Sequence, residues 1–204
     1  MSPQRIVFAS GNAGKAREIG AMFADLFGDR VELVLQAELG IESIEETGQT
    51  FTENALLKAR HAAAESGLAA LADDSGIEVD ALGGKPGVYS ARFAGADASD
   101  ADNVSKLLRD LADTPAAQRG ARFRCVLAFV RAPDDPAPLL ADAAWEGRIA
   151  LAPSGQDGFG YDPVFLDGDS ERTAAELAPA EKNARSHRGK ALQKLRVQLE
   201  AAGL

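Results

Sequence analysis

Apolar positions along this chain follow two periods that take turns. "RIVFAS", residues 5–10, is a short continuous apolar run, the pattern of a buried strand. In "GNAGKAREIGAMFADLFGD" the residues Ile19, Met22, Phe23, Leu26 and Phe27 recur at i, i+3, i+4, i+7 and i+8, one face of a helix. "VELVLQAEL" then reads as strand, and "IESIEETGQT" as an acidic loop. "FTENALLKARHAAAESG" predicts an alanine-rich helix stopped at Gly67, and "LAALA", residues 68–72, a small buried strand that ends at Asp73 and Asp74.

Val104, Leu107, Leu108 and Leu111 share one face of a helix expected at about 101–112. "ARFRCVLAFVRA" begins by alternating, with Arg122 and Arg124 opposite Phe123 and Cys125, and then turns continuously apolar. The turn "PDDPAP", residues 133–138, should join it to "LLADAAWEGRI" as a hairpin. "GQDGFGYDPVFL" reads as a glycine-rich loop running into a strand. Residues 179–202 read as helix, opened by Pro179, with Leu192, Leu195 and Leu199 on one face. Early alternation of strand and helix with a hairpin in the middle predicts an α/β domain with a mixed sheet.

A length of 204 residues allows one large domain or two small lobes. No internal repeat divides it, and no apolar run is long enough to span a bilayer. The N-terminal "MSPQRIVFAS" has too short an apolar core for a signal peptide, and a single cysteine, Cys125, excludes an internal disulfide; both point to the cytoplasm. A net charge of −9 argues against a nucleic-acid surface, since phosphate neutralisation needs the opposite sign. A small anionic substrate remains compatible if local cations or a metal offset the field.

Candidate chemistry falls in five places. "SGNAGK", Ser10 to Lys15, lies where a strand hands over to a helix, so its N–H groups suit a phosphate, with Lys15 adding a charge; it also suits an ordinary strand-to-helix turn, and it is not a Walker motif. Asp73 and Asp74 supply hard oxygens for Mg²⁺, but neighbours on a strand point to opposite faces, so one of them should face a given site while the other supports the loop. Asn54 and Lys58 share a helix face, Glu53 suits a cap, and Glu45 and Glu46 lie in a loop within reach of a metal. "GFGYDPVF" offers accessible backbone, the Phe159 and Tyr161 rings for stacking a base, and Asp162 as acceptor. "EKNARSHR" gathers Lys182, His187 and Arg188 in an acidic chain. On an ideal helix Lys182 and His187 would splay by about 140°, so serving one site needs a bend, long side-chain reach or a ligand lying across the helix. His61, Cys125 and Trp145 read as packing residues.

In combination, "ASGNAGKAREI", "EETGQTFTENALLKA", "LADDSGIEVDALGGKPGVYSARFAG", "GQDGFGYDPVF" and "AELAPAEKNARSHRGKAL" closely resemble the inosine/xanthosine triphosphate pyrophosphatase family over about Ile6 to Leu195. The resemblance implies an elongated mixed β-sheet with flanking helices, one domain of two lobes around a nucleotide cleft, and a homodimer. It implies Mg²⁺-dependent cleavage of ITP, dITP and XTP between the α and β phosphates, a house-cleaning role. By position, Ser10, Gly11, Asn12, Ala13, Gly14 and Lys15 would bind the triphosphate. Asp74 would ligate the metal and accept a proton, joined at the metal by Glu45 or, alternatively, Glu46. Lys58 would orient phosphate or a carboxylate, and Ser75 would touch substrate. Phe159, Gly160, Tyr161 and Asp162 would hold the base. Lys182, His187 and Arg188 would grip base and phosphates, with His187 or Arg188 as donor to the 6-oxo group. The glycines after Ser75 would let the loop wrap ion and phosphates.

Overall fold

The computed structural model describes residues 3–168 and 170–203. The described residues form six strands in one sheet of order β2-β1-β3-β4-β5-β6. The strands are β1 (Gln4–Ala9), β2 (Val31–Leu35), β3 (Ala69–Val79), β4 (Gly120–Val130), β5 (Leu139–Ile149) and β6 (Phe165–Asp167). The sheet is mixed, as the pattern predicted: β1 runs parallel to β2 and to β3, and β6 runs antiparallel to β5. Helices are α1 (Ala13–Phe27), α2 (Phe51–Ser66), α3 (Asp100–Asp110), α4 (Pro179–Arg185) and α5 (His187–Ala201).

The chain divides into two compact units, and the division falls inside β3, β4 and β5. The first holds the chain up to Asp74, Cys125–Ala143 and the chain from Arg188 onward. Its core is built from the stripes that periodicity picks out. Ile19, Met22, Phe23 and Phe27 of α1 and Leu192, Leu195 and Leu199 of α5 pack with Ile6, Phe8, Leu71 and Cys125 of the strands. The buried face of α2 carries Phe51 and Asn54 in its first turn and then Ala55, Ala59, Ala62 and Ala63, small side chains where the helix lies close to β1. Cys125 is the buried apolar filler expected; burial and the nearby Asp73 carboxylate push its thiol pKa up.

The second unit, Ser75–Arg124 and Ala144–His187, packs Val104, Leu107 and Leu111 against Ile77, Phe123, Trp145 and Phe165. Ser99 caps α3 in a reciprocal pair with Asp102. At the other end the Arg119 guanidinium donates to the carbonyls of Leu111, Thr114 and Ala150, supplying donors the helix lacks. Trp145 is buried with its Nε1–H on Asp167.

Three expectations change. The strand read from "VELVLQAEL" stops at Leu35 because Gln36–Leu39 closes into a 3-10 turn, and the Glu38 carboxylate accepts from Leu35 N. The single helix expected over 179–202 is two, broken at Ser186, which is extended at φ −66°, ψ 155° while its N–H still donates to Lys182 O. A bend between Lys182 and His187 therefore exists. Most consequential, β3 does not end at the aspartates. It runs through Asp73, Asp74 and Ser75 to Val79; Gly83 and Gly84 fall in a turn beyond it, and Gly87 opens the 3-10 helix Gly87–Arg92.

Candidate active site

Alternation along β3 sorts its two carboxylates. Leu71 belongs to the core shared with α1 and α5, and Asp73, two residues on, faces the same helices. Lys15 Nζ of α1 lies 3.3 Å from Asp73 Oδ2, and Arg188 Nε of α5 lies 3.6 Å from the same oxygen. The Arg188 Nη1 pairs with Glu18. Asp73 is wholly buried, a position a carboxylate holds only among cations and donors. Asp74 points the other way, onto α2. Its Oδ1 is 3.1 Å from Lys58 Nζ, and its Oδ2 accepts from Asn54 Nδ2 at 3.2 Å. Lys58 also donates to Glu46 Oε1 at 2.6 Å.

One ammonium thus joins two carboxylates from opposite ends of the sequence window 46–74. Burial is the main reason the Asp74 pKa rises above the usual aspartate range; Glu46 and Asp73 add to this, and Lys58 and Lys15 offset part of it. For Lys58, burial acts downward, but Asp74, Asp73 and Glu46 together hold its pKa above the ordinary lysine value. Glu46 is half-buried on this lysine. Glu45 is exposed, with no ion pair or hydrogen bond among the described residues. Glu53 does what its place in the first turn suggests: its Oε2 accepts from Thr50 N and Gln49 N, while Thr50 caps the helix.

The strand-to-helix turn supplies the neighbouring feature. Asn12 caps α1, its Oδ1 accepting from Lys15 N at 3.0 Å, and Asn12 N donates to Ser10 Oγ. Gly11 sits close under Ser43, where a Cβ would lie 2.8 Å from the hydroxyl. The first turn, Ala13 and Gly14 included, carries N–H groups that helix geometry cannot pair internally.

The second unit holds a cluster of its own. Lys182 Nζ lies 2.6 Å from Asp162 Oδ2, and both side chains are less than a tenth exposed. The same oxygen accepts from Phe159 N at 2.8 Å, and the ammonium stands 5.1 Å from the Phe159 ring centroid. Gly158, at φ 82°, makes this turn possible, because any side chain there would meet the Asp162 carboxylate. Gly160 N donates to Asp100 at the start of α3. Tyr161 is buried and donates to Ser90 O; burial, with Asp100 nearby, pushes its phenol pKa up. The His187 ring stacks on Phe123 at 4.9 Å and 14°. Ser75, half-buried, follows Asp74 in β3. Asp73 was expected as a metal ligand or as support for the loop, and it instead pairs with Lys15 and Arg188; nothing in the sequence signalled Glu18 or Asp100.

A model of the Ham1 family matches residues 6–198. The chain belongs to the Ham1 family. A relative from Pectobacterium atrosepticum named dITP/XTP pyrophosphatase is 55% identical over 192 residues, covering 94% of this chain and 96% of its own. One of the same name from Yersinia pseudotuberculosis is 57% identical over 190 residues, 93% and 95% of the two chains. The solved structure of a HAM1 protein from Coxiella burnetii matches with a TM-score of 0.88 and 48% identity over 97% of this chain and 99% of that one.

For a Ham1 protein with the metal that the resemblance implies, the donor chemistry can be tested against the residues present. Among the described residues no three carboxylate, imidazole or thiol side chains are grouped to hold an ion by themselves. Mg²⁺ does not need such a cage; it takes one or two carboxylates, several waters and substrate phosphate oxygens. Asp74 and Glu46, gathered on Lys58, fit that requirement.

Proposed function

We propose that this chain is a nucleoside triphosphate pyrophosphatase that hydrolyses the deaminated purine nucleotides dITP, ITP and XTP to the monophosphate and pyrophosphate, clearing them from the nucleotide pool. The observation that carries the reading is the back-to-back carboxylate pair in β3, one facing Lys15 and Arg188 and the other Lys58 and Glu46, in a chain more than half identical to proteins named for this activity.

Hydrolysis of a phosphoanhydride asks a protein for positioned charge and an activated water. Lys15 and the first turn of α1 bind the triphosphate tail, and Asp73 holds Lys15 and Arg188 in place for it. A divalent ion, when bound by Asp74 and Glu46, supplies neutralisation of phosphate charge and lowers the pKa of water. Asp74 accepts the proton of the attacking water, and Lys58 pairs with both carboxylates. The bond between the α and β phosphates breaks, and pyrophosphate leaves.

The base is assigned to Phe159–Asp162 with Lys182, an aromatic face beside a fixed charge pair, and Ser75 to a substrate contact. His187, held on Phe123, or Arg188, held by Glu18, is the donor to the 6-oxo group. A donor there accepts hypoxanthine and xanthine, and faces adenine's 6-amino group with another donor. Mg²⁺ as the ion, a homodimer as the assembly and the cytoplasm as compartment belong to the same proposal and are supported by the family resemblance.

A substrate panel tests it. With Mg²⁺, pyrophosphate release from dITP, ITP and XTP should exceed that from ATP by at least about 100-fold in kcat/KM, the scale of a mismatched buried hydrogen bond. Equal rates on ATP and ITP would end the assignment of a deaminated-purine substrate.

A further inference from the structure

The loop that carries Glu46 is tied down at several points. Gln36 Nε2 donates to Ser43 Oγ at 2.8 Å, and His61 Nε2 lies 3.1 Å from Glu42 O. Gly48 N donates to Asn54 Oδ1 at 2.8 Å. The last anchor differs from the others, because the opposite end of the same carboxamide donates to Asp74 Oδ2. Asn54 is fully buried, so both ends of its amide must be matched. Chemistry fixes its orientation: the backbone N–H needs the oxygen and the carboxylate needs the NH₂.

We propose that Asn54 is a positioning residue whose carboxamide bridges the Gly48 backbone to the Asp74 carboxylate and so sets the spacing of Glu46 and Asp74. The inference rests on the reading of those two carboxylates as the ion-holding pair. Lys58 cannot do this alone. Its ammonium sits at the end of a flexible four-carbon stem and follows the carboxylates, whereas Asn54 links strand and loop through a short, rigid amide. The position admits few substitutes: aspartate would set an oxygen against Asp74, and apolar side chains bind neither end. Gly48 is the matching requirement on the loop. A Cβ there would fall 2.6 Å from Asn54 Oδ1, 2.7 Å from Glu53 Cβ and 3.0 Å from Asn54 N, so this close approach exists only with glycine.

The test is a double-mutant cycle read by Mn²⁺ uptake. Mn²⁺ is titrated into nucleotide-free protein and followed by electron paramagnetic resonance. Asn54→Ala should weaken Mn²⁺ binding about 10- to 100-fold, the usual effect of losing a partner that orients a ligand. In a Glu46→Gln background the same change should matter by no more than about twofold, because the loop then carries no ligand to position. In metal-free Asn54→Ala, the Gly48 amide should exchange faster than in wild type. Wild-type Mn²⁺ affinity in Asn54→Ala, or equal losses in both backgrounds, would overturn the proposal. Should Asn54→Ala fail to fold, Gly48→Ala carries the same test, since it displaces the loop with Asn54 intact; unchanged affinity there overturns it equally. Wild-type protein that takes up no Mn²⁺, or Glu46→Gln that binds it as wild type does, overturns the ion-holding reading itself and this inference with it.

Discussion

Asp74→Asn should lower kcat on dITP by about 10²–10⁴-fold, the range for loss of a positioned general base, with the fold intact. The substitution keeps the shape of the side chain and an oxygen facing Lys58, but it removes the proton acceptor and one charge from the ion-holding pair, and it turns an NH₂ toward the Asn54 NH₂ where Asp74 Oδ2 had accepted. That lost hydrogen bond costs about 1–3 kcal/mol, and the removed charge offsets it. In the folded protein the Asp74 pKa lies above its unfolded value, chiefly through burial, so between those two values the folded state binds more protons than the unfolded one. Stability therefore falls as pH rises through that window, and at neutral pH an ionised Asp74 carries a cost that asparagine lacks. Against this, Lys58 loses one of its carboxylates but keeps Glu46 and Asp73. The melting temperature of the metal-free variant should stay within about 4 °C of wild type, equivalent to roughly 1 kcal/mol in a chain of this size. Kinetics by pyrophosphate release and a thermal melt by circular dichroism check both parts. A large fall in melting temperature alongside lost turnover would mean that Asp74 serves the fold, not the reaction.

The largest stability effect should come from the other cluster. Lys182→Met leaves the Asp162 carboxylate buried without the ammonium 2.6 Å away. Because neither side chain is appreciably exposed, solvent screening does little to soften this, and the loss should be about 3–5 kcal/mol, a melting point lower by roughly 6–20 °C. Asp162→Asn in the same chain should recover more than half of that, since an amide oxygen still accepts from Phe159 N and no charge remains buried. Activity separates the two roles of the lysine. If Lys182 also contacts the base, KM for dITP should stay raised about tenfold or more in the stabilised double variant, the weight of one lost charge-assisted contact. A double variant with wild-type KM would confine Lys182 to structure.

These expectations show which parts of the molecule local patterning discloses. The stripes on α1, α3 and α5 predicted their buried faces because each packs one side on a core, the case in which a 3.6-residue period survives in sequence. β4 and β5 were legible for a related reason, being long, apolar and separated by a proline-rich turn. The course of β3 was not. Two adjacent aspartates read as the end of a buried run, and only long-range partners, Lys15 and Arg188 on one face and Lys58 and Asn54 on the other, allow them to stay inside the sheet. Such ion pairs join residues that local windows never show together. The break at Ser186 escaped for the opposite reason: nothing in "NARSHRG" forbids a helix, yet Ser186 is extended. Within the site, residue type was informative and partnership was not. Glu46 and Glu45 look alike in sequence, and nothing in it says that Glu46 is the one that pairs with Lys58.

The most direct test of the whole account is phosphorus NMR of dITP digested by the purified protein with Mg²⁺. Pyrophosphate and dIMP should appear together in equal amounts, with no dIDP, and Asp74→Asn should form both at least about 100-fold more slowly. Orthophosphate and dIDP as the first products, or pyrophosphate formed at the wild-type rate by Asp74→Asn, would contradict it.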